Sequence, residues 1–553
     1  MPSCKHHDIC GVTDEADPAT GMCILHSKDP DKDKQTFAAA LGSHRKRKGD
    51  KFVLFVFPDA TAFSGEEFLE GPNFSGATFI GDAIFRGTFK KGANFSGCKF
   101  EKGATFAYFL TTGEEGKPEV NFSETTFANK ADFRSAMFLG RANFEKAKFE
   151  KGADFLKARF GEHLSFWEAE CAGEMNFTEV HFEKGASFNK SIFNGVAVFQ
   201  RATFQDEDTT FVQTVFKEKP DFILTVFHRE AVFRGATFAQ GADFPEAKLL
   251  SGIDFRPDFE ATLDQRDFSI EGFGRLLRYQ TRFLGDTDFS GAIFGGVVNF
   301  HQAYMNGKIV FKRSLTQPIF QGADVAFSEV SIGPSGAIEF FGVDLSKCRF
   351  LHTDLRKVQI IRATWAKVYG RLVDRFLPRE GIYDELAHSN ADANYPWEGI
   401  ERAYRELKQN HEDRRDYERA GDFHYGEKEM RRCNPTTSLG LRFWLTLYWL
   451  ISGYGERYVR PLVWSFILIV LSTLGYVAFG LRLRPEQGGA ILSVTSFWDW
   501  LLTANYSLRV MTLLKPEDLI PVGCAKFINT AQGVLGPLFL GLFALALRQR
   551  LRR

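Results

Sequence analysis

The sequence predicts a mainly β chain whose first two thirds form a β-solenoid, and three observations lead there. Phe recurs at intervals alternating between five and six, as at Phe133, Phe138, Phe144, Phe149, Phe155 and Phe160. A small residue stands two places before many of these rings, as with Ala131, Ala136, Ala142, Ala147, Ala153 and Ala158. The register holds from Phe122 to Phe244, with Cys171 filling one Phe slot. Neither the period of a helix nor the alternation of a half-buried strand fits this spacing. A register kept over so many units marks a stack in which each unit buries its apolar face only against the next. The eleven-residue double unit is too short for a helix hairpin and Gly recurs within it, which leaves β-structure.

Units such as "RANFE" and "KAKFE", alternating with one extra residue, resemble the Phe-centred variant of the pentapeptide-repeat family. The resemblance implies a right-handed quadrilateral β-helix with the central Phe and the preceding small residue pointing inward. Rings then stack in ladders and Ala leaves room at the corners. It spans roughly residues 60 to 360, with breaks at "LTTGEEGKPEV" and between Ser251 and Asp288. Coils of about 22 residues stacked at about 4.8 Å make a rod of roughly 60 Å with flat faces, whose two ends are sheet edges that need caps.

Four segments follow: an N-terminal cap over residues 1–50, the solenoid over 51–365, a helical linker over 366–438 and a membrane domain over 439–553. The 553-residue chain has 59 Phe against 14 Tyr and 8 Trp, an imbalance that the repeat accounts for. Its net charge is zero, which argues against a basic nucleic-acid stripe and against strongly acidic mimicry of DNA, so no nucleic-acid partner is expected. Since some pentapeptide-repeat proteins resemble duplex DNA, mimicry stays a rival reading. Eight scattered Cys and the lack of an apolar run behind a basic start predict no signal peptide and no disulfide framework.

Cys4, Cys10, Cys23 and His26 are spaced x5, x12 and x2. Three thiolates and an imidazole suit tetrahedral zinc with no open position, which predicts a structural cap with His6 and His7 as competing ligands. The opposing reading is a loose tail with stray Cys and His. Beyond the solenoid, Trp397 to Arg432 has no Pro and reads as one long charged helix, with Ile400, Tyr404, Leu407 and His411 along one stripe and Ala420 and Gly421 allowing a close neighbour.

Pro461 to Leu481 carries no charge and is long enough to cross a bilayer, and Phe527 to Leu547 forms a second span. Ahead of them, Trp444, Tyr448 and Trp449 suit the interface, and Arg457 and Arg460 the cytosolic side. This predicts a multi-pass inner-membrane protein with both termini cytoplasmic. Between the spans, Ser496 to Ser507 is too short to cross and a turn-rich return follows. The layout resembles a two-transmembrane, potassium-channel-like pore module. Against that family's pattern the chain keeps Tyr506, Ser507, Thr512 and Asp518, but Lys515, Pro516 and Glu517 stand where Gly-Tyr-Gly belongs. These residues do not take the filter's geometry, so potassium selectivity is not expected. On the second span Asn529, Gln532, Gly536, Leu540 and Phe543 share one face, which reads either as a pore lining gated by Leu540 and Phe543 or as helix packing.

Irregular backbone at membrane depth predicts a homo-oligomer, a tetramer by analogy. No Walker loop, dinucleotide fingerprint, zinc-protease motif or catalytic triad is visible, so no enzyme is expected. Two functions remain: an oligomeric channel whose cytosolic solenoid senses a protein or ligand, and a membrane-anchored scaffold for protein interaction without conduction.

Overall fold

The structure is a computed structural model. It describes residues 4–11, 17, 19–112, 119–258, 280–314, 317–321, 324–370, 378–387, 396–483, 489, 491–492, 494–514 and 519–551. The chain divides into two compact units, Met1–Thr364 and Trp365–Arg553.

The first unit is a β-solenoid. Its strands are mostly two residues long and pair in parallel with the coil before and the coil after, at an offset of 22, as in Thr126↔Lys148, Ala131↔Ala153, Met137↔Arg159 and Ala142↔Leu164. Those four pairings are successive faces of one coil. One face runs through twelve strands, from Val56–Phe57 to Ser331–Ile332, which gives about twelve turns.

The Phe rings lie wholly inside, in ladders. Phe127 and Phe149 stack with centroids 4.9 Å apart, Phe133 and Phe155 at 4.6 Å, Phe138 and Phe160 at 5.0 Å, and Phe122 and Phe144 at 4.8 Å. Rings of neighbouring ladders meet edge to face, as Phe133 and Phe144 do at 5.5 Å and 86°. Both arrangements suit the ring quadrupole, so the core is a lattice of aromatic contacts rather than a liquid-like filling. Cys171 takes the Phe slot between Phe149 and Phe193. Beside that gap Phe166 leans toward Phe149, 5.9 Å away.

Corners are closed by turns. Phe144 C=O accepts from Ala147 N at 3.1 Å, with Lys146 between them at φ 55°. Such left-handed residues recur at the coil spacing, as Glu124, Lys146, Glu168 and Lys190, where the side chain projects outward and its charge alternates along the column. Lys146 and Glu168 approach to 4.0 Å, and Lys146 and Lys190 both lie over the Trp167 ring. Gly152 sits at another corner, where a Cβ would come within 2.0 Å of Glu174 O.

The ladders pass through both expected breaks. Val120 pairs with Ala93 across the first, and Phe238 with Phe283 across the second at an offset of 45 in place of 22. The register therefore resumes after an extra 23 residues, and 259–279 lie outside the described residues.

At the N-terminal end two elements precede the first coil: α1 (His7–Cys10) and α2 (Lys34–Lys48). Helix α2 and the segment before it cover the first strands, β1 (Val56–Phe57) and β2 (Thr61–Phe68). Strand β2 carries a bulge between Ser64 and Glu66, and the Arg45 guanidinium of α2 lies over the Phe52 and Phe68 rings while pairing with Glu66 at 2.8 Å. A bulge and an inserted charge are how natural sheets blunt an edge.

The second unit begins with an antiparallel pair, Ala366–Val368 with Arg379–Gly381, and a short helix α3 (Tyr383–Ala387). The one long helix expected over Trp397 to Arg432 is instead a hairpin of α4 (Trp397–Asp413) and α5 (Tyr417–Cys433). The break falls at Arg415, φ 62°, and Asp416 caps α5 by accepting from Arg419 N. An Asp that caps a new helix and also meets His411 Nδ1 at 3.0 Å outweighs the helical preference of the flanking charged residues. The stripe of Ile400, Tyr404, Leu407 and His411 is buried as expected. Arg379, buried with Tyr404, pairs with both Glu385 oxygens at 2.7 and 2.6 Å.

Among the described residues four further helices follow: α6 (Leu439–Ser452), α7 (Val459–Phe479), α8 (Phe497–Met511) and α9 (Ala525–Leu551). Helices α7 and α9 are long and apolar enough to cross a membrane, and most of their residues lie open rather than in a protein core. Helix α8 starts in a capping box of Ser496 and Asp499 and, at 15 residues, reaches only about 22 Å.

Candidate functional site

Two sets of residues singled out by the sequence form defined constellations, one in each unit. In the first, Cys4, Cys10, Cys23 and His26 are all buried, and their ligand atoms lie within 4.8 Å of one another. Cys4 Sγ stands 3.5 Å and Cys23 Sγ 3.3 Å from His26 Nδ1, and Cys23 Sγ is 3.8 Å from Cys10 Sγ. A tetrahedron with metal–sulfur bonds of about 2.3 Å and a metal–nitrogen bond of about 2.05 Å has edges of roughly 3.6 to 3.8 Å, so the donors fit a four-coordinate ion. Of the two competitors, His7 faces Asp8, and the His6 ring lies 4.9 Å from that of His26, tilted by 43°.

The surroundings are those of a ligand shell. His26 Nε2 faces Val53 O at 3.3 Å, which leaves Nδ1 as the electron-pair donor. Backbone N–H groups of His6 and Cys23 point at Cys4 Sγ from 3.5 and 3.3 Å. Burial acts to raise the Cys4 thiol, but those N–H groups bring it below its ordinary value. Burial, with Cys10 adding to it, pushes Cys23 up to about 12, and burial, with His6 adding to it, takes His26 down to about 4. Three thiolates in such a pocket would require the charge of a bound divalent cation. Lys32, buried beside the cluster, donates to Ile24 O at 2.7 Å, Ser27 O at 3.0 Å and Val56 O at 2.5 Å. The sequence reading missed Lys32, whose only signal is its place six residues past a ligand.

In the second unit, α7, α8 and α9 are tied together by polar groups. Gln532 is wholly buried on α9. Its Oε1 accepts from Tyr476 Oη at 2.9 Å, and its Nε2 donates to Ser507 O at 3.0 Å and Ser507 Oγ at 2.6 Å. Ser507 Oγ in turn donates to Ile469 O at 3.2 Å. Asn529 Oδ1 accepts from Tyr506 Oη at 3.0 Å, and the Tyr476 and Tyr506 rings meet edge to face at 5.0 Å. Gly536 abuts the end of α8, where a Cβ would stand 2.7 Å from Met511 Cγ. Asn529, Gln532 and Gly536 therefore face the chain's own helices. Leu540 is partly exposed, and the Phe543 ring lies 6.5 Å from Tyr458.

Thr512 follows α8 and donates to Leu508 O at 2.9 Å. Lys515, Pro516, Glu517 and Asp518 lie outside the described residues. The chain returns as Leu519–Pro521, antiparallel to Leu481–Leu483.

Residues 122–170 match the family model described as pentapeptide repeats, with nine copies, and this stretch of the solenoid is similar to that family. No curated protein and no solved structure matches the chain.

Proposed function

We propose that the chain is a membrane-anchored, non-catalytic scaffold. Its solenoid, capped by a structural zinc, presents flat polar faces to a protein partner in the cytosol, and α7 and α9 hold it in the membrane as a multi-pass anchor. The observation that carries this reading is the bonding of Gln532. The polar groups of the second span are spent on Tyr476, Ser507 and Tyr506 of the same chain, which is what a packed anchor requires. Pentapeptide repeats in the solenoid favour the same reading, since a repeat surface is extended and has no enclosed cleft. Three thiolates and one imidazole with no open position suit zinc as a structural ion.

A second reading, a weakly selective oligomeric channel with the solenoid as sensor, is favoured by one observation. Helix α8 is too short to cross, yet it packs against both long helices and is followed by a non-helical return. Current recording in planar bilayers, from the purified chain and from its Leu540→Asn and Phe543→Ser variants, separates the two. The scaffold reading expects silence from folded protein, and ion-specific unitary currents would overturn it.

A further inference from the structure

We infer that the metal module conceals a self-pairing edge of the first coil, and that metal loss opens this edge to the same edge of a second copy. The inference rests on the metal reading above and goes beyond it to a partner and a surface. In β1 the carbonyls of Phe55 and Phe57 serve the next coil, accepting from Thr78 N at 2.8 Å and Ile80 N at 2.9 Å. Backbone groups alternate along a strand, so Val56 N and Val56 O face the opposite way, where a preceding coil would be.

Side chains and backbone of the cap stand in for that missing coil. Val56 N donates to Leu25 O at 2.8 Å, and Lys32 Nζ donates to Val56 O at 2.5 Å. His26 Nε2 faces Val53 O at 3.3 Å, and His44 Nε2 faces Lys51 O at 2.6 Å. The cap also roofs the first rings: His26 meets Phe55 edge-on at 5.0 Å, His44 meets Phe55 at 4.9 Å, and Phe37 meets Phe57 at 5.6 Å.

Three of the four stand-ins, Leu25, His26 and Lys32, lie in or just after the Cys23 to His26 knuckle, and His26 is itself a ligand. The knuckle buries little apolar surface besides Leu25 and the ligands, so metal coordination is what orders it. Helix α2 is held separately, by Lys34 with Asp59 and by Arg45 with Asp50 and Glu66, and it keeps β2 covered. Metal loss thus frees Val56 N and Val56 O of β1 and the His26 side of Phe55, while Phe37 and His44 of α2 stay over Phe57 and Phe55. That edge offers one donor and adjacent acceptors beside apolar rings, which a two-fold related copy of the same edge complements.

The test uses the full chain in detergent, with elemental analysis of zinc and molar mass by light scattering before and after chelation. Chelation should double the mass of the metal-loaded species, and zinc should reverse it. Cys23→Ser should show the doubled mass without chelator. Leu54→Lys places a charge beside the edge, at a left-handed position that carries Lys in a later coil, as at Lys146. It should leave zinc content unchanged and cancel the doubling. Metal-bearing protein whose mass does not respond to chelation overturns this inference alone, as does a doubling that Leu54→Lys leaves intact. Protein that carries no metal as purified removes the metal reading and this inference together.

Discussion

Replacing Phe149 by Ala removes a ring at a defined point of the lattice. Phe149 has no exposed surface, stacks on Phe127 at 4.9 Å, and on its other side meets the small Cys171 with Phe166 leaning over at 5.9 Å. Removing the ring forfeits about 2 kcal/mol of transfer free energy. A residual cavity of roughly 80 Å³, at about 24 cal/mol per Å³, adds about 2 kcal/mol more. Phe166 already leans toward this side and can fill part of the void, so the sum of about 4 kcal/mol is an upper figure and about 3 kcal/mol the lower. Coils contact only their neighbours, so the loss should be local. Amide exchange, read peptide by peptide, should speed up across residues 122–177 and stay unchanged near residues 52–79. Unchanged protection around residue 149, or an equally stable Phe149→Asp variant, would show that the ring does not face inward.

Cys23→Ser should abolish binding of about one zinc per chain, measured by elemental analysis, because three remaining donors leave an open and weaker site. At the left-handed corner Lys146→Gly should be neutral or stabilising by up to about 1 kcal/mol, whereas Lys146→Val should cost about 1 to 2 kcal/mol in denaturant unfolding. Gln532→Leu leaves Tyr476 Oη without its acceptor and should lower the melting temperature of the detergent-solubilised chain, by the equivalent of about 1 to 2 kcal/mol. On α5, burial acts to raise Glu427, but His424, Lys428, Lys408 and Arg405 take it down to about 2. A depressed carboxyl stabilises the fold above its ordinary value of about 4.3 and loses that contribution as pH falls toward 2. Acid unfolding of the α4–α5 hairpin, followed by amide exchange, should therefore start at higher pH in the Glu427→Gln variant.

Much of the first unit is legible in the sequence because its core repeats. A ring every fifth or sixth residue leaves no freedom about which side faces in, and even the Cys171 substitution can be read from its slot. The grouping of Cys4, Cys10, Cys23 and His26 is legible for a similar reason, since thiols and an imidazole in a short span have few other uses. The break at Arg415 is hidden because a charged run without Gly or Pro gives no stop signal, and Asp416 acts as a cap only once His411 and Arg419 are beside it. Gln532 shows the harder limit. A polar residue on one helical face looks the same whether it meets water or a neighbouring helix, and only the positions of Tyr476 and Ser507 separate the two. The stand-ins for the missing coil, Leu25 and Lys32, are hidden because backbone partners leave no compositional trace.

A silent wild-type chain is what an anchor gives, and it is also what a closed channel gives. The decisive measurement is therefore the current through planar bilayers containing Leu540→Asn or Phe543→Ser, substitutions that would wet an apolar gate if these residues formed one. An anchor has no water path to open, so both variants should remain silent while losing thermal stability from a polar group set among apolar neighbours. A resting conductance that rises in either variant and is absent from vesicles without protein would contradict the scaffold reading and leave the channel in its place.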